Sequence, residues 1–119
     1  MQALLSVNIA LALAALAVGG HWVEWHFREA ADVESRVSAF TLAAQVHAAT
    51  AIAAFAAALS PTSLRWPIIM GLIGTLAFSG ALYGFATVGW KAGMPGTVIG
   101  TILIALSWLW IALRLARRG

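Results

Sequence analysis

The sequence predicts an all-α integral membrane protein, a four-helix bundle with short loops, and three observations predict it. Hydrophobic residues make up 62% of the 119-residue chain and charged residues only 9%, where a soluble domain carries roughly a quarter charged residues. The apolar residues gather into four runs, each near the length of about 20 residues that a helix needs to cross a bilayer. Turn-forming and interfacial residues stand between those runs, where the chain has to reverse.

The first expected span covers residues 3–22. Its Ala15-Leu16-Ala17 would suit a signal peptidase, but the segment lacks a positively charged start, so a retained helix is the expected reading. A polar stretch from Glu24 to Ser38 follows and is expected as an outer loop. It holds all four acids (Glu24, Glu29, Asp32, Glu34) together with Arg28 and Arg36. The second span, residues 40–59, is dominated by alanine and closes on Ser60-Pro61-Thr62-Ser63, a cluster that favours a turn. The third covers residues 66–90 and the fourth 95–116, with Pro67 and Pro95 in the first helical turn, where a missing N–H costs nothing. Trp22, Trp25, Trp66 and Trp90 fall at the expected membrane–water boundaries, which favour amphipathic rings.

An even number of spans leaves both termini on one side. Arg65, Arg114, Arg117 and Arg118 lie on that side, against Arg28, Arg36 and Lys91 with the four acids on the other. The Lys/Arg bias of short loops then expects cytoplasmic termini in a bacterial inner membrane, with the acidic stretch outside. Lipid gives apolar helices no hydrophobic reason to associate, so small residues that let backbones approach become the packing code. Ser79, Gly80, Tyr83 and Gly84 in the third span and Gly100 in the fourth are the expected packing positions. Gly80 in particular is expected to lie close enough to a neighbouring helix that a leucine there would disrupt the bundle.

Chemistry is sparse. Three cationic excess charges are too few and too scattered for a nucleic-acid surface, and the chain has no cysteine for a disulfide, a thiolate metal site or thiol redox chemistry. No Asp, Glu or Lys falls inside an expected span, and Arg114 near the end of the fourth is the one arginine that does. A proton-coupled exporter of this size would need a membrane-embedded carboxylate. The principal polar side chains within the spans are Asn8, Gln45, His47, Thr50, Ser79 and Tyr83, and such residues are informative because they are costly there. His47 is expected about seven residues into its span, roughly 10 Å below the outer surface, with Thr50 on the same helical face and His21 closing the first span on the same side. His21, Gln45, His47 and Thr50 are therefore the candidate ligand-binding residues. Two approaching histidines could ligate a haem or hydrogen-bond a quinone, and the simpler reading has each imidazole satisfied across a helix interface. His21 and Glu24 have a spacing compatible with one metal ion, but His26 lies about 140° round the helix from His21, so no metal centre is expected. No nucleophile–base set appears, and no catalysis is expected.

Four segments resemble one family. Phe78-Ser79-Gly80-Ala81-Leu82-Tyr83 resembles the FSGSLY signature of the YwdK-like small four-helix membrane proteins of bacteria, a domain of unknown function numbered 423. Gln45-Val46-His47-Ala48-Ala49-Thr50-Ala51-Ile52 is similar to their Q-Y-H-x-x-H-A-L, Met94 to Thr101 with Trp108 to their G-P-x-T-P-x-G-G…W, and Ala17 to His21 to their G-A-F-G-A-H. Ala81, Thr50, Val98 and Thr101 depart from those patterns, and Thr50 stands where the family has a second histidine. The resemblance implies a four-span membrane fold and supplies no activity. The expected function is that of a non-catalytic accessory subunit or assembly factor, held by the lipid bilayer and by other membrane subunits or a second copy of itself, with no cofactor. The alternative is a binder of a small lipophilic molecule (quinone, haem or lipid) through His21 and His47. A channel, the third class, would need a polar pathway that these spans hardly provide.

Overall fold

The computed structural model describes residues 1–118, in which four long helices follow one another: α1 Gln2–His26, α2 Val33–Ala58, α3 Arg65–Val88 and α4 Pro95–Ala116. All four are long and apolar enough to cross a membrane, and no strand occurs among the described residues. A 3₁₀ turn, Lys91–Gly93, leads into α4. The protein is thus an integral membrane helical bundle, and Trp22, Trp25, Trp66 and Trp90 are exposed near the helix ends.

The polar stretch is mostly helix rather than loop. α1 continues through Glu24 to His26 and α2 already begins at Val33, which leaves residues 27–32 as the connection. Hydrophobicity marks where the bilayer ends, whereas a helix continues wherever its residues tolerate it, and Glu and Arg do so well. Two members of that stretch are also engaged within the chain. Arg36 pairs with Asp32 at 3.0 Å, lies over the Phe27 ring at 4.4 Å, and donates to the Ala86 carbonyl at 3.2 Å. A cation therefore caps the carbonyl end of α3, where Gly89 turns the chain with φ 70°.

Each helix lies against its sequence neighbour, α1 on α2, α2 on α3 and α3 on α4, which makes α2 and α3 the inner pair. Of their membrane-spanning windows 33% is buried, against 11% for α1 and α4. Small residues set the two tightest seams. Between α3 and α4, a Cβ added to Gly100 would lie 2.5 Å from the Gly74 carbonyl oxygen and the Phe78 amide, and Ser107 donates to the Pro67 carbonyl at 2.7 Å. Between α2 and α3, Ser79 donates to the Ala43 carbonyl at 2.9 Å, while Ala48 and Ala51 on α2 pack with Ala12 and Ile9 of α1.

Two glycines behave otherwise than their spacing implies. Gly80 faces open space: a Cβ there would meet only Leu76 Cδ1 of its own helix, at 4.0 Å. Gly84 accommodates the Trp90 ring, 2.9 Å from its added Cβ, and not a neighbouring helix. A GxxxG pair makes one face of a helix small, and whether a backbone, a ring or empty space meets that face is decided by the other elements.

Candidate functional site

At its start α1 meets α3 through Leu5, which packs with Ala54, Leu64 and Ile68. Farther along, α1 and α3 part, and the gap is a cleft of about 400 Å³. Its walls are aliphatic, with Leu4, Val7 and Leu11 from α1 facing Leu72 and Leu76 from α3. The absence of a side chain at Gly80 keeps it open. Its polar lining comprises Thr75 and Ser79, whose hydroxyls donate to α2, together with Asn8, His47 and Tyr83, one residue from each of α1, α2 and α3.

Asn8, His47 and Tyr83 form a continuous chain of hydrogen bonds. His47 Nε2 lies 2.8 Å from Asn8 Oδ1 and Nδ1 lies 3.2 Å from the Tyr83 hydroxyl, the imidazole tautomer setting which partner donates. Tyr83 is held from behind by Phe40, whose ring centre lies 4.9 Å away. Phe40 in turn rests against Gly19, in a π-helical turn of α1 spanning Ala15–Gly19, where a Cβ would collide with the ring. The widened turn therefore has a local consequence: it brings a residue without a side chain to the place that Phe40 occupies. π-turns of this kind often accompany functional sites.

Of the four residues expected to bind a ligand, the structure brings only His47 to the cleft. His47 lies fourteen residues from the start of α2 and eleven from its end, roughly 21 and 16 Å at 1.5 Å per residue, because α2 begins seven residues earlier than expected. His21 is exposed, and its neighbour Gly20 is level with Thr41, nearly two helical turns from His47, so the two histidines do not meet. Gln45 points out from α2 and is exposed. Thr50 faces the α2–α3 seam, donating to the Val46 carbonyl at 2.7 Å and accepting from Thr75 at 2.9 Å. Asn8 and Tyr83 were legible as costly intramembrane polar residues. Their partnership with His47 was not, because it depends on which faces of three helices converge.

Ser79 is buried, and its hydroxyl bridges α3 to α2. No cluster of three or more His, Cys, Asp or Glu suited to a metal ion occurs among the described residues. Both ring nitrogens of His47 are already engaged, so ligation to iron would require giving up one of those bonds.

Fold and site define a four-span membrane protein with a polar hydrogen-bond chain beside a lateral apolar cleft. The family model described as "Protein of unknown function (DUF423)" matches residues 13–101, and the chain belongs to that family. The matched region contains His47 and Tyr83, while Asn8 precedes it. No curated protein and no solved structure matches the chain.

Proposed function

We propose that this protein binds a small lipophilic molecule that enters from the bilayer into the cleft between α1 and α3. One observation carries the reading: an apolar cavity of about 400 Å³ whose wall carries the Asn8–His47–Tyr83 chain. Small-molecule sites are typically apolar clefts of this size with a few convergent polar groups, and polar groups within a span usually mark function. Exposed Leu4, Val7, Leu11 and Leu76 supply a rim over which a lipid-dissolved molecule can pass. Asn8 and Tyr83 then contact the ligand, His47 joins them, and no reaction is assigned to any of the three. Solvent extraction of the protein purified in mild detergent, followed by mass spectrometry, tests this. A lipophilic species near one per chain should accompany the native protein and be missing from Gly80→Leu, which fills the cleft. Its absence from both, or equal recovery from both, overturns the reading.

A second reading, the accessory subunit, draws support from Gln45. This amide lies near the middle of α2, is exposed, and bonds to nothing among the described residues. An unpaired amide facing hydrocarbon is costly, which favours a neighbouring subunit or a second copy at this face. Native purification should then recover a larger complex that Gln45→Leu loosens; a lone monomer in every mild detergent counts against it. For either reading we place the protein in a bacterial inner membrane with cytoplasmic termini, from the Lys/Arg bias. Single cysteines at Glu29 and Arg118 should label from opposite sides of sealed vesicles, and same-side labelling overturns that orientation.

A further inference from the structure

From the hydrogen-bond inventory of the cleft we infer that its occupant carries a neutral oxygen head group, a hydroxyl or a carbonyl, held by Asn8 at one end of the polar chain or by Tyr83 at the other. The inference rests on the cleft reading and specifies the ligand's chemistry. A neutral imidazole has one donor and one acceptor nitrogen. The spans hold no carboxylate to balance an imidazolium, and an uncompensated cation at this depth is expensive. With Nε2 donating to Asn8 Oδ1, the other nitrogen accepts the Tyr83 proton. What remains unspent is the Asn8 amide N–H₂, two donors, and the lone pairs of Tyr83 Oη.

Reversing the chain exchanges the ends. If the Asn8 amide turns over, its N–H₂ donates to Nε2, Nδ1 donates to Tyr83 Oη, and the tyrosine proton is released to donate elsewhere. One end of the chain then still donates and the other still accepts. His47 acts as the positioning residue that couples the two ends, while Asn8 and Tyr83 meet the ligand. Asn8 and Tyr83 both line the cleft, so this unspent capacity is available to an occupant of it. The Thr75 and Ser79 hydroxyls of the same lining already donate to α2 and the other walls are aliphatic, which leaves a ligand oxygen to satisfy it.

The same inventory argues against a charged head group. No Asp, Glu, Lys or Arg lines the cleft, so a carboxylate or phosphate would meet no countercharge. A neutral head group can reach mid-membrane depth with its chain dissolved in the surrounding lipid. A hydroxyl can meet either end of the chain, accepting from Asn8 or donating to Tyr83 Oη, whereas a quinone carbonyl only accepts.

Calorimetric titration in detergent micelles tests this with three probes: 1-decanol, 2-decyl-1,4-benzoquinone and decanoate, each corrected with protein-free micelles. Decanol or the quinone should bind saturably to the native chain and lose saturable binding in Gly80→Leu. Asn8→Leu should weaken that probe by about tenfold, the loss of one hydrogen bond in an apolar setting. Should Asn8→Leu fail to fold, Tyr83→Phe, which removes a single hydroxyl, carries the same expectation for decanol. The tighter neutral probe tells a lipid alcohol from a quinone. In ¹⁵N-histidine spectra the His47 ring should keep one protonated and one bare nitrogen when the probe is bound. Neutral probes that bind and are blocked by Gly80→Leu, yet ignore Asn8→Leu and Tyr83→Phe, overturn the head-group inference and leave the cleft reading standing. So does decanoate binding as tightly as the neutral probes. Failure of all three probes to saturate, or their equal binding to Gly80→Leu, overturns the cleft reading itself.

Discussion

Helix α3 has two unlike flanks. On the flank towards α4, glycine brings backbones together: Gly74 and Gly100 lie so close that a methyl group on either would meet main-chain atoms of the other helix within 3.0 Å. On the flank towards α1, glycine keeps them apart, because Gly80 faces a cleft and nothing of another helix lies within 4 Å of its added Cβ. The same residue type on the same helix thus serves contact in one place and volume in the other. Close packing is what holds helices together where lipid supplies no hydrophobic drive, so the first flank carries stability. A space kept open between apolar walls contributes nothing to stability and is the place to look for a ligand.

The sharpest way to break this contrast is to add volume on the closed flank. Gly100→Leu should destabilise the bundle most, at or above the upper end of the ~1–3 kcal/mol typical of overpacking. The atoms in the way are the Gly74 carbonyl oxygen and the Phe78 amide, both 2.5 Å from a Cβ, and backbone cannot swing aside as a side chain can. α4 would have to withdraw from α3 and stretch the 2.7 Å bond between Ser107 and the Pro67 carbonyl. Unfolding in mixed dodecyl maltoside and SDS micelles measures the effect. A stability equal to the native protein's would mean that the two helices do not touch here.

Ser79→Ala should cost less, about 0.6 kcal/mol, the average for hydrogen bonds between membrane helices. Its hydroxyl joins α3 to α2 at the Ala43 carbonyl. That carbonyl sits inside α2 and retains its helical partner, so removing the serine orphans no backbone group. The same micelle titration resolves it, and a cost above that of Gly100→Leu would transfer the main seam from α3–α4 to α2–α3.

How far these features could be read from the sequence differs from residue to residue. Four apolar runs are a statement about composition, and the bilayer translates composition into helices directly, which is why the fourth helix falls on Pro95–Ala116 as expected. Gly100 was legible as a packing position for a similar reason, since a small residue in a span has few other uses. Gly80 departs from the packing expectation because a GxxxG pair specifies a smooth face and carries no information about what lies opposite. His47 is legible as costly, but a pairing with His21 requires α2 to begin where the hydrophobic run begins, and it begins earlier, at Val33. Helix-forming residues such as Glu34 and Arg36 extend α2 outwards, and the face of α2 that carries His47 meets Asn8 of α1 instead. The π-turn at Ala15–Gly19 has no signature in a run of Ala, Leu, Val and Gly, so the seating of Phe40 behind Tyr83 was not visible at all.

The smallest effect is expected on the open flank. Gly80→Leu should leave stability within about 0.5 kcal/mol of the native protein, as for a substitution that touches no packed feature. A Cβ at this position has the flexible end of Leu76 as its nearest neighbour, at 4.0 Å, and the rest of the side chain extends into a cavity of about 400 Å³. Leucine also favours the helical conformation over glycine by somewhat less than ~1 kcal/mol, which offsets the entropy of ordering the new side chain against Leu72 and Leu76. The comparison with Gly100→Leu is therefore internal: the same two residue types are exchanged on either side of one helix, with opposite surroundings. If the two variants destabilise equally, the cleft does not exist as an open space and α1 lies against α3. If Gly80→Leu keeps its stability while a lipophilic probe loses its saturable binding, the open flank is where this protein meets its ligand.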